Sequence, residues 1–166
     1  MSLNNIQLSA ATIHQLFRDC LIENKQRKYS DDHNQTQRYS VLGKNKQGIV
    51  ILVNNEEAAY LPDDELNFLL GILSACKLTM EDAGIVNYKN NAGINYSSIA
   101  AELNAEKVFL FGVNPADIAL PLSFPHYQVQ HYNNQVYVSA PALVSLKEDR
   151  TEKGKLWNSL KNIFSI

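Results

Sequence analysis

Two short apolar runs constrain the fold of this chain more than any other feature. Ile49–Val53 consists only of isoleucine, valine and leucine and lies between Gly48 and an Asn-Asn pair. Lys107–Phe111 contains a second apolar run, which Gly112 stops. Uninterrupted runs of this length between turn signals are typical of strands that are buried on both faces. The sequence therefore predicts a sheet whose central strands are covered on both sides.

Helical patterns alternate with these strands along the chain. A largely apolar segment that begins at Pro62 and reaches about Cys76 predicts a helix packed on more than one face. The other predicted elements are strands over 38–42, 84–88, 127–131 and 135–138 and a short helix over 95–103. This alternation predicts a three-layer α/β/α sandwich with a mostly parallel central sheet.

Two further segments precede that α/β domain. Residues 1–24 contain an amphipathic helical pattern, and its apolar face consists of Ile13, Leu16, Phe17, Cys20 and Leu21. Residues 25–37 have one aromatic and no aliphatic side chain, which predicts a linker or a mobile loop. We therefore divide the chain into an N-terminal helix (1–24), a linker (25–37) and an α/β domain (38–166).

Composition excludes some classes of function. The net charge is −2, and residues 49–106 carry nine acidic and two basic side chains. Such an acidic region favours a protein surface over a phosphate backbone as partner, so we expect no direct nucleic-acid binding. No segment approaches the ~20 apolar residues of a membrane span, and the N-terminus lacks a signal-peptide pattern. We expect a cytoplasmic protein.

Cysteines and histidines do not form a metal-binding pattern. Cys20 and Cys76 each lie inside an apolar helical pattern, which predicts buried reduced thiols. The four histidines are His14, His33, His126 and His131. None of them has another histidine, a cysteine or an acid at ligand spacing, so we expect no metal and no cofactor. The phosphate-loop, dinucleotide, zinc-protease and serine-hydrolase motifs are also absent.

The C-terminal stretch carries the most specific pattern. A strand leads into Ser139-Ala-Pro-Ala142, and a short apolar segment, a charged break and a helix with the only tryptophan, Trp157, follow. Asp149 or Thr151 can cap that helix. This order resembles the C-terminal end of the psi subunit of bacterial DNA polymerase III, a clamp-loader accessory protein. The likeness covers about residues 48–164 and is also specific at the first buried strand and its Asn-Asn pair.

The resemblance implies a fold and a role. The psi fold is related to that of uracil-DNA glycosylases but lacks their chemistry. A non-catalytic subunit would bridge the clamp loader to a chi-like protein, which contacts single-stranded-DNA-binding protein. In that family the segment ahead of the α/β domain docks onto the clamp loader. The corresponding hypothesis is that Ile13, Phe17, Cys20 and Leu21 contact a partner, whereas the alternative is that this helix packs on its own sheet.

The resemblance also points to a vestigial ligand cleft at two strand ends. Asn54, Asn55 and Glu56 follow the first buried strand, and Ala140 and Pro141 follow the last. Uracil-DNA glycosylases hold a water-positioning residue and a base-stabilising histidine in these two places. Matching the turn on its proline puts Ala140 in the histidine position, where an alanine cannot donate a hydrogen bond.

Two other functions stay open. One is an active or degenerate DNA-glycosylase-like enzyme that uses Glu56 or Glu57 with an unrecognised partner residue. We expect these two acids to be solvated instead, because the sequence places no partner beside them. The other is a lineage-restricted adaptor with the same fold and unrelated partners. The basic residues near the C-terminus are interleaved with acids, which is typical of a solvated helix face.

Overall fold

Six strands form one mixed sheet in the computed structural model, which describes residues 39–166. The strands are β1 (Leu42–Gly43), β2 (Ile49–Val53), β3 (Ala83–Asn87), β4 (Lys107–Phe111), β5 (Gln130–Tyr132) and β6 (Gln135–Ala140). Their order across the sheet is β1-β3-β2-β4-β6-β5. The inner four strands pair in parallel, whereas β1 and β5 are antiparallel to their neighbours at the two edges.

Helices fill the connections between the strands and the end of the chain. The α-helices in the described residues are α1 (Asp63–Ala75), α2 (Tyr96–Leu103), α3 (Leu143–Glu148) and α4 (Arg150–Phe164). α1 connects β2 to β3, α2 connects β3 to β4, and α3 and α4 follow β6. The predicted α/β class is therefore confirmed, and the sheet is mixed.

The inner strands are buried on both faces, as their apolar runs require. Every residue of β2 is 1% exposed or less. Ile49, Ile51 and Val53 belong to a core that also contains side chains of α1, α3 and α4. Val50 and Leu52 belong to a second core, which α2 completes. Alternate side chains of one strand thus enter different cores, so no position of β2 is free to be polar.

Local sequence signals set several element boundaries. Asn133 and Asn134 have φ values of 50° and 60° and join β5 to β6. Positive φ at both central residues is typical of a two-residue hairpin turn. Asp149 separates α3 from α4 and caps α4 by accepting hydrogen bonds from Thr151 N (2.7 Å) and Glu152 N (3.1 Å). Of the two predicted caps, Asp149 and Thr151, the structure shows Asp149.

The bounds predicted for the first strand are wrong. β1 covers only Leu42–Gly43, not residues 38–42. A Cβ at Gly43 would lie 2.2 Å from the carbonyl oxygen of Ala83, so only glycine fits this close approach. Past Gly43 the backbone turns, and the amide N–H groups of Lys44 and Lys46 donate to Met80 O and Glu81 O.

The N-terminal predictions lie outside the described residues. They are the helix within residues 1–24, the partner-binding face of Ile13, Phe17, Cys20 and Leu21, and the linker over residues 25–37. They therefore stay predictions.

Candidate functional site

The carboxyl ends of β2, β4 and β6 meet at one edge of the sheet, around Gly112. The amide of Gly112 donates to the carbonyl of Ala140 (3.0 Å), and the side chain of Asn54 donates to the carbonyl of Gly112 (3.3 Å). Gly112 has a φ of 66°, and a Cβ there would lie 3.1 Å from the Cβ of Ala142. The structure thus brings the cleft residues Asn54 and Ala140 to opposite sides of one glycine.

Ala140 belongs to a strand and not to a turn, which corrects the sequence prediction. It pairs with Phe111 in the parallel ladder, and it is 1% exposed within the core that contains Leu143. Small side chains fit there because α3 begins three residues later and packs against the strand end. Pro141 follows and is only half-buried. The position that the resemblance assigns to a histidine therefore holds a buried methyl group.

A buried asparagine at the end of β3 holds the loop after β2. Asn87 is 0% exposed, and its side-chain oxygen accepts hydrogen bonds from Asn55 N and Lys89 N, both at 3.2 Å. Its side-chain nitrogen donates to Asn55 O (2.8 Å) and Ala58 O (3.0 Å). These bonds use both ends of the amide, so Asn87 is committed to the fold and not to a ligand.

Two more asparagines extend this clamp. Asn90 donates to Ala59 O (2.9 Å), and Asn91 donates to Asn87 O (2.7 Å) and accepts from Ser40 N (2.8 Å). We call Asn55, Asn87, Asn90 and Asn91 the asparagine network. The side chain of Asn55 also takes part, since its oxygen accepts from the amides of Glu57 and Ala58. Sequence reasoning identified only Asn55 of the four.

Glu56 lies on the outside of this loop and has a partner that the sequence did not reveal. Its carboxylate forms an ion pair with Lys89 Nζ at 2.8 Å, and 76% of its side chain is exposed. The hydrogen bond and the positive charge of Lys89 hold the pKa of Glu56 below its usual value. The expectation that Glu56 is solvated agrees with its exposure, whereas the expectation that it has no partner is wrong. A lower pKa makes this carboxylate a weaker general base.

A histidine and a strained tyrosine lie at the end of β6, where sequence reasoning assigned neither. The Nδ1 atom of His126 is 3.0 Å from the hydroxyl oxygen of the buried Ser139. Tyr127 has a φ of 68° and donates its amide to Ser139 O (2.8 Å). Its carbonyl accepts from the hydroxyl of Ser159 (2.5 Å), and its own hydroxyl donates to Glu152. These bonds hold a conformation that is uncommon for a bulky residue.

The tyrosine hydroxyl at this place is a poor acid. Burial, followed by the hydrogen bond to Glu152, raises the pKa of Tyr127 above its usual value. The phenol therefore stays protonated near neutral pH and donates to the carboxylate. His126 is exposed and has only the Ser139 hydroxyl as a hydrogen-bond partner among residues 39–166. His126 and Ser139 could exchange a proton with each other. Ser139 is only 1% exposed, however, so a substrate cannot reach its hydroxyl from solvent.

A different region offers an open surface. A groove with a volume of about 450 Å³ runs between α1 and α4 and is open to solvent along one side. Its lining is formed by Asn67, Phe68, Gly71, Ile72, Ala75, Lys153, Leu156, Trp157 and Leu160. The Nζ atom of Lys153 lies 5.5 Å from the centre of the Phe68 ring, within reach of a cation–π attraction. We call this region the α1–α4 groove.

Metal-binding groups and membrane spans are not found in the part of the chain that the structure describes. Within residues 39–166, no three histidine, cysteine or acidic side chains are grouped so that they could hold a metal ion. No helix in the same range is long and apolar enough to cross a membrane. Cys76 is a buried free thiol at the C-terminal end of α1, as predicted, and burial raises the pKa of its thiol.

No protein-family model matches the chain, and no curated protein matches it either. Function is therefore inferred from the geometry of these regions and from the resemblance of the C-terminal stretch.

Proposed function

We propose that this protein is a non-catalytic, psi-like accessory subunit of the DNA polymerase III clamp loader. One observation supports the part of this proposal that the protein is non-catalytic. At the sheet edge where a glycosylase-like fold would do its chemistry, position 140 is a buried alanine, and the side-chain amide of Asn87 and the side-chain oxygen of Asn55 bond to the backbone. Groups that are already satisfied inside the protein are not available to stabilise charge on a substrate.

The architecture supports the same proposal. Four parallel inner strands carry helices against both faces, which suits a uracil-DNA-glycosylase-like sandwich. The segment that carries the psi resemblance folds as one unit, since β6 runs directly into α3 and α4. Trp157 and Leu160 then lie on the same helix that Asp149 begins.

The partners follow from the resemblance. The protein would connect clamp-loader subunits to a chi-like protein in the cytoplasm, without itself binding nucleic acid. Its clamp-loader contact would come from the apolar face of Ile13, Phe17, Cys20 and Leu21. This division assigns one contact to the N-terminal segment and leaves the α/β domain for the second partner.

An affinity pull-down from the native cell extract, read by mass spectrometry, tests this function. The full chain is compared with a variant that carries Phe17→Ala and Leu21→Ala. The matched control is His14→Ala, on the polar side of the same predicted helix. We expect the full chain and the control to recover clamp-loader subunits and the double variant to lose them. Recovery of no replication protein by any of the three would refute the clamp-loader role.

A second candidate is a DNA-glycosylase-like enzyme, which His126 favours. This histidine reaches the end of β6 from another loop, so a ring nitrogen lies near the strand end although position 140 is an alanine. A cleavage assay on uracil- and mismatch-containing DNA separates the two candidates. We expect no turnover by the full chain. Turnover that disappears in His126→Ala and in Glu56→Gln would establish the enzyme and overturn the binding-only role.

A further inference from the structure

The α1–α4 groove is an apolar surface that packing within residues 39–166 leaves uncovered. Leu156 and Leu160 form its floor and are buried, whereas Phe68, Ile72 and Trp157 remain partly exposed along its walls. Apolar grooves between helices are one of the places where partner helices dock.

Gly71, on the α1 side of the groove, has no side chain that could fill the open space. Gly71 lies in the middle of α1, where a Cβ would meet no atom within 4 Å. Nothing in the described part of the chain therefore requires a glycine here, although glycine weakens a helix interior. A larger side chain at this position would project into the open space. The glycine thus maintains an opening that the domain itself does not fill.

The groove carries one positive charge, that of Lys153, and this charge favours an acidic partner. Lys153 is the only charged residue among the nine that line it. Within residues 39–166, Lys153 makes no ion pair, whereas the neighbouring Lys155 and Lys147 pair with Glu152 and Asp64. An occupant with a carboxylate beside its apolar groups would complement this cation.

The length of the groove fits a short helix. The lining of α1 runs from Asn67 to Ala75, a rise of about 12 Å along the helix axis. That length matches about two turns of a partner helix, with apolar anchors at i, i+3 or i+4, and i+7. A small ligand would be poorly enclosed, because sites for small molecules bury most of the ligand surface and this groove is open along its side.

We propose that the α1–α4 groove binds an amphipathic helix of a partner protein, with the apolar face of that helix in the groove and an acidic side chain facing Lys153. This inference deepens the protein-binding role proposed above. It requires no particular partner, so it can fail or succeed independently of the clamp-loader assignment.

The single tryptophan makes the test direct. Trp157 lines the groove and is the only tryptophan in the chain, so its fluorescence reports occupancy of this place alone. The purified full chain is titrated with two synthetic helical peptides of about 14 residues each, which share leucines at i, i+3, i+4 and i+7. One peptide flanks the leucines with glutamate and the other with lysine. We expect saturable shifts in emission, with the glutamate peptide binding about fivefold more tightly.

Three variants sharpen the test. Lys153→Glu should reverse the preference between the peptides. Nonspecific hydrophobic binding would not show this reversal. Gly71→Gln should weaken binding of the glutamate peptide about tenfold or more by filling the opening. Gly154→Gln is the matched control, because Gly154 also has open space around its Cα but does not line the groove. Thermal unfolding of each variant confirms that it is folded.

Several outcomes would overturn the proposal. Failure of both peptides to change the emission, or equal binding of both with no effect of Lys153→Glu, excludes an acidic helix. Emission that depends on the concentration of the protein alone assigns the groove to a second copy of the chain. Emission that shifts in Phe17→Glu at every concentration assigns it to the chain's own N-terminal segment. Each result is separate from the pull-down, which fails or succeeds on clamp-loader subunits.

Discussion

The carboxyl edge of the sheet and the α1–α4 groove invite opposite interpretations. The edge is rich in amides and charges and looks like a site in the sequence, but Asn87 and Asn55 bond to the backbone and Glu56 pairs with Lys89. The sequence of the groove is typical of ordinary helix packing. In residues 39–166, however, several of its apolar side chains are only partly buried, and Lys153 has no ion-pair partner. We therefore place the proposed binding surface at the groove and not at the polar edge.

The largest effect should come from the asparagine network. Asn87→Ala removes hydrogen bonds that satisfy two amides and several carbonyls in a fully buried place. We expect the free energy of unfolding to fall by about 3 kcal/mol, because buried groups would lose their partners. Asn54→Ala is the control, since Asn54 is exposed and makes one 3.3 Å bond, and it should change stability by less than about 0.5 kcal/mol. Urea unfolding measures both.

If Asn87→Ala and Asn54→Ala lowered the free energy of unfolding equally, the comparison would fail. The asparagine network would then contribute no more to stability than an exposed surface amide does. A large loss in Asn87→Ala alone sharpens it. In that case the polar edge is part of the framework that positions the loop between β2 and α1.

Replacing two glycines should change the free energy of unfolding by intermediate amounts, one substitution lowering it and the other raising it. Gly112→Ala should destabilise the protein by about 1–2 kcal/mol, because φ is 66° there and the new Cβ would lie 3.1 Å from Ala142. Gly71→Ala should stabilise it by about 0.5–1 kcal/mol, because the site is helical and open. Thermal unfolding at matched pH provides the measurement. Destabilisation by Gly71→Ala would show that the groove is already filled.

The smallest effect concerns the exposed pair at the polar edge. Lys89 lowers the pKa of Glu56 in the folded state, so this carboxylate favours folding at pH values above its unfolded pKa. That contribution is lost as the pH falls through the depressed folded pKa. Glu56→Gln should therefore flatten the acid side of the stability profile slightly, and Glu57→Gln, which lacks an ion pair in the described residues, serves as control. Unfolding curves recorded between neutral and acidic pH would show equal slopes if the pair contributes nothing.

Local patterns determined much of the fold. β2 and β4 have the predicted bounds because an apolar run between turn signals is complete within a few residues. The same holds for the Asp149 cap, whose partners are adjacent in sequence. The end of β6 was missed because Ser139 and Ala140 are small and precede a proline, a pattern that favours a turn, whereas in the structure they continue the parallel ladder.

The site residues were harder to predict because their partners are distant in the chain. Asn55 and Asn87 are 32 residues apart, and His126 and Ser139 are 13 apart. Only the order of strands brings each pair together, and no local period encodes that order. The groove was missed for the same reason. Its two walls come from α1 and α4, and each helix alone shows only an ordinary amphipathic pattern.

The shortness of the edge strands bears on how this protein associates with others. β1 has two residues and β5 has three, so each outer edge offers little backbone for another strand to extend. Short edges of this kind discourage strand-to-strand polymerisation. For residues 39–166, the protein binding proposed above would therefore rest on side chains of the helices, where substitutions leave the backbone pairing of the sheet unchanged.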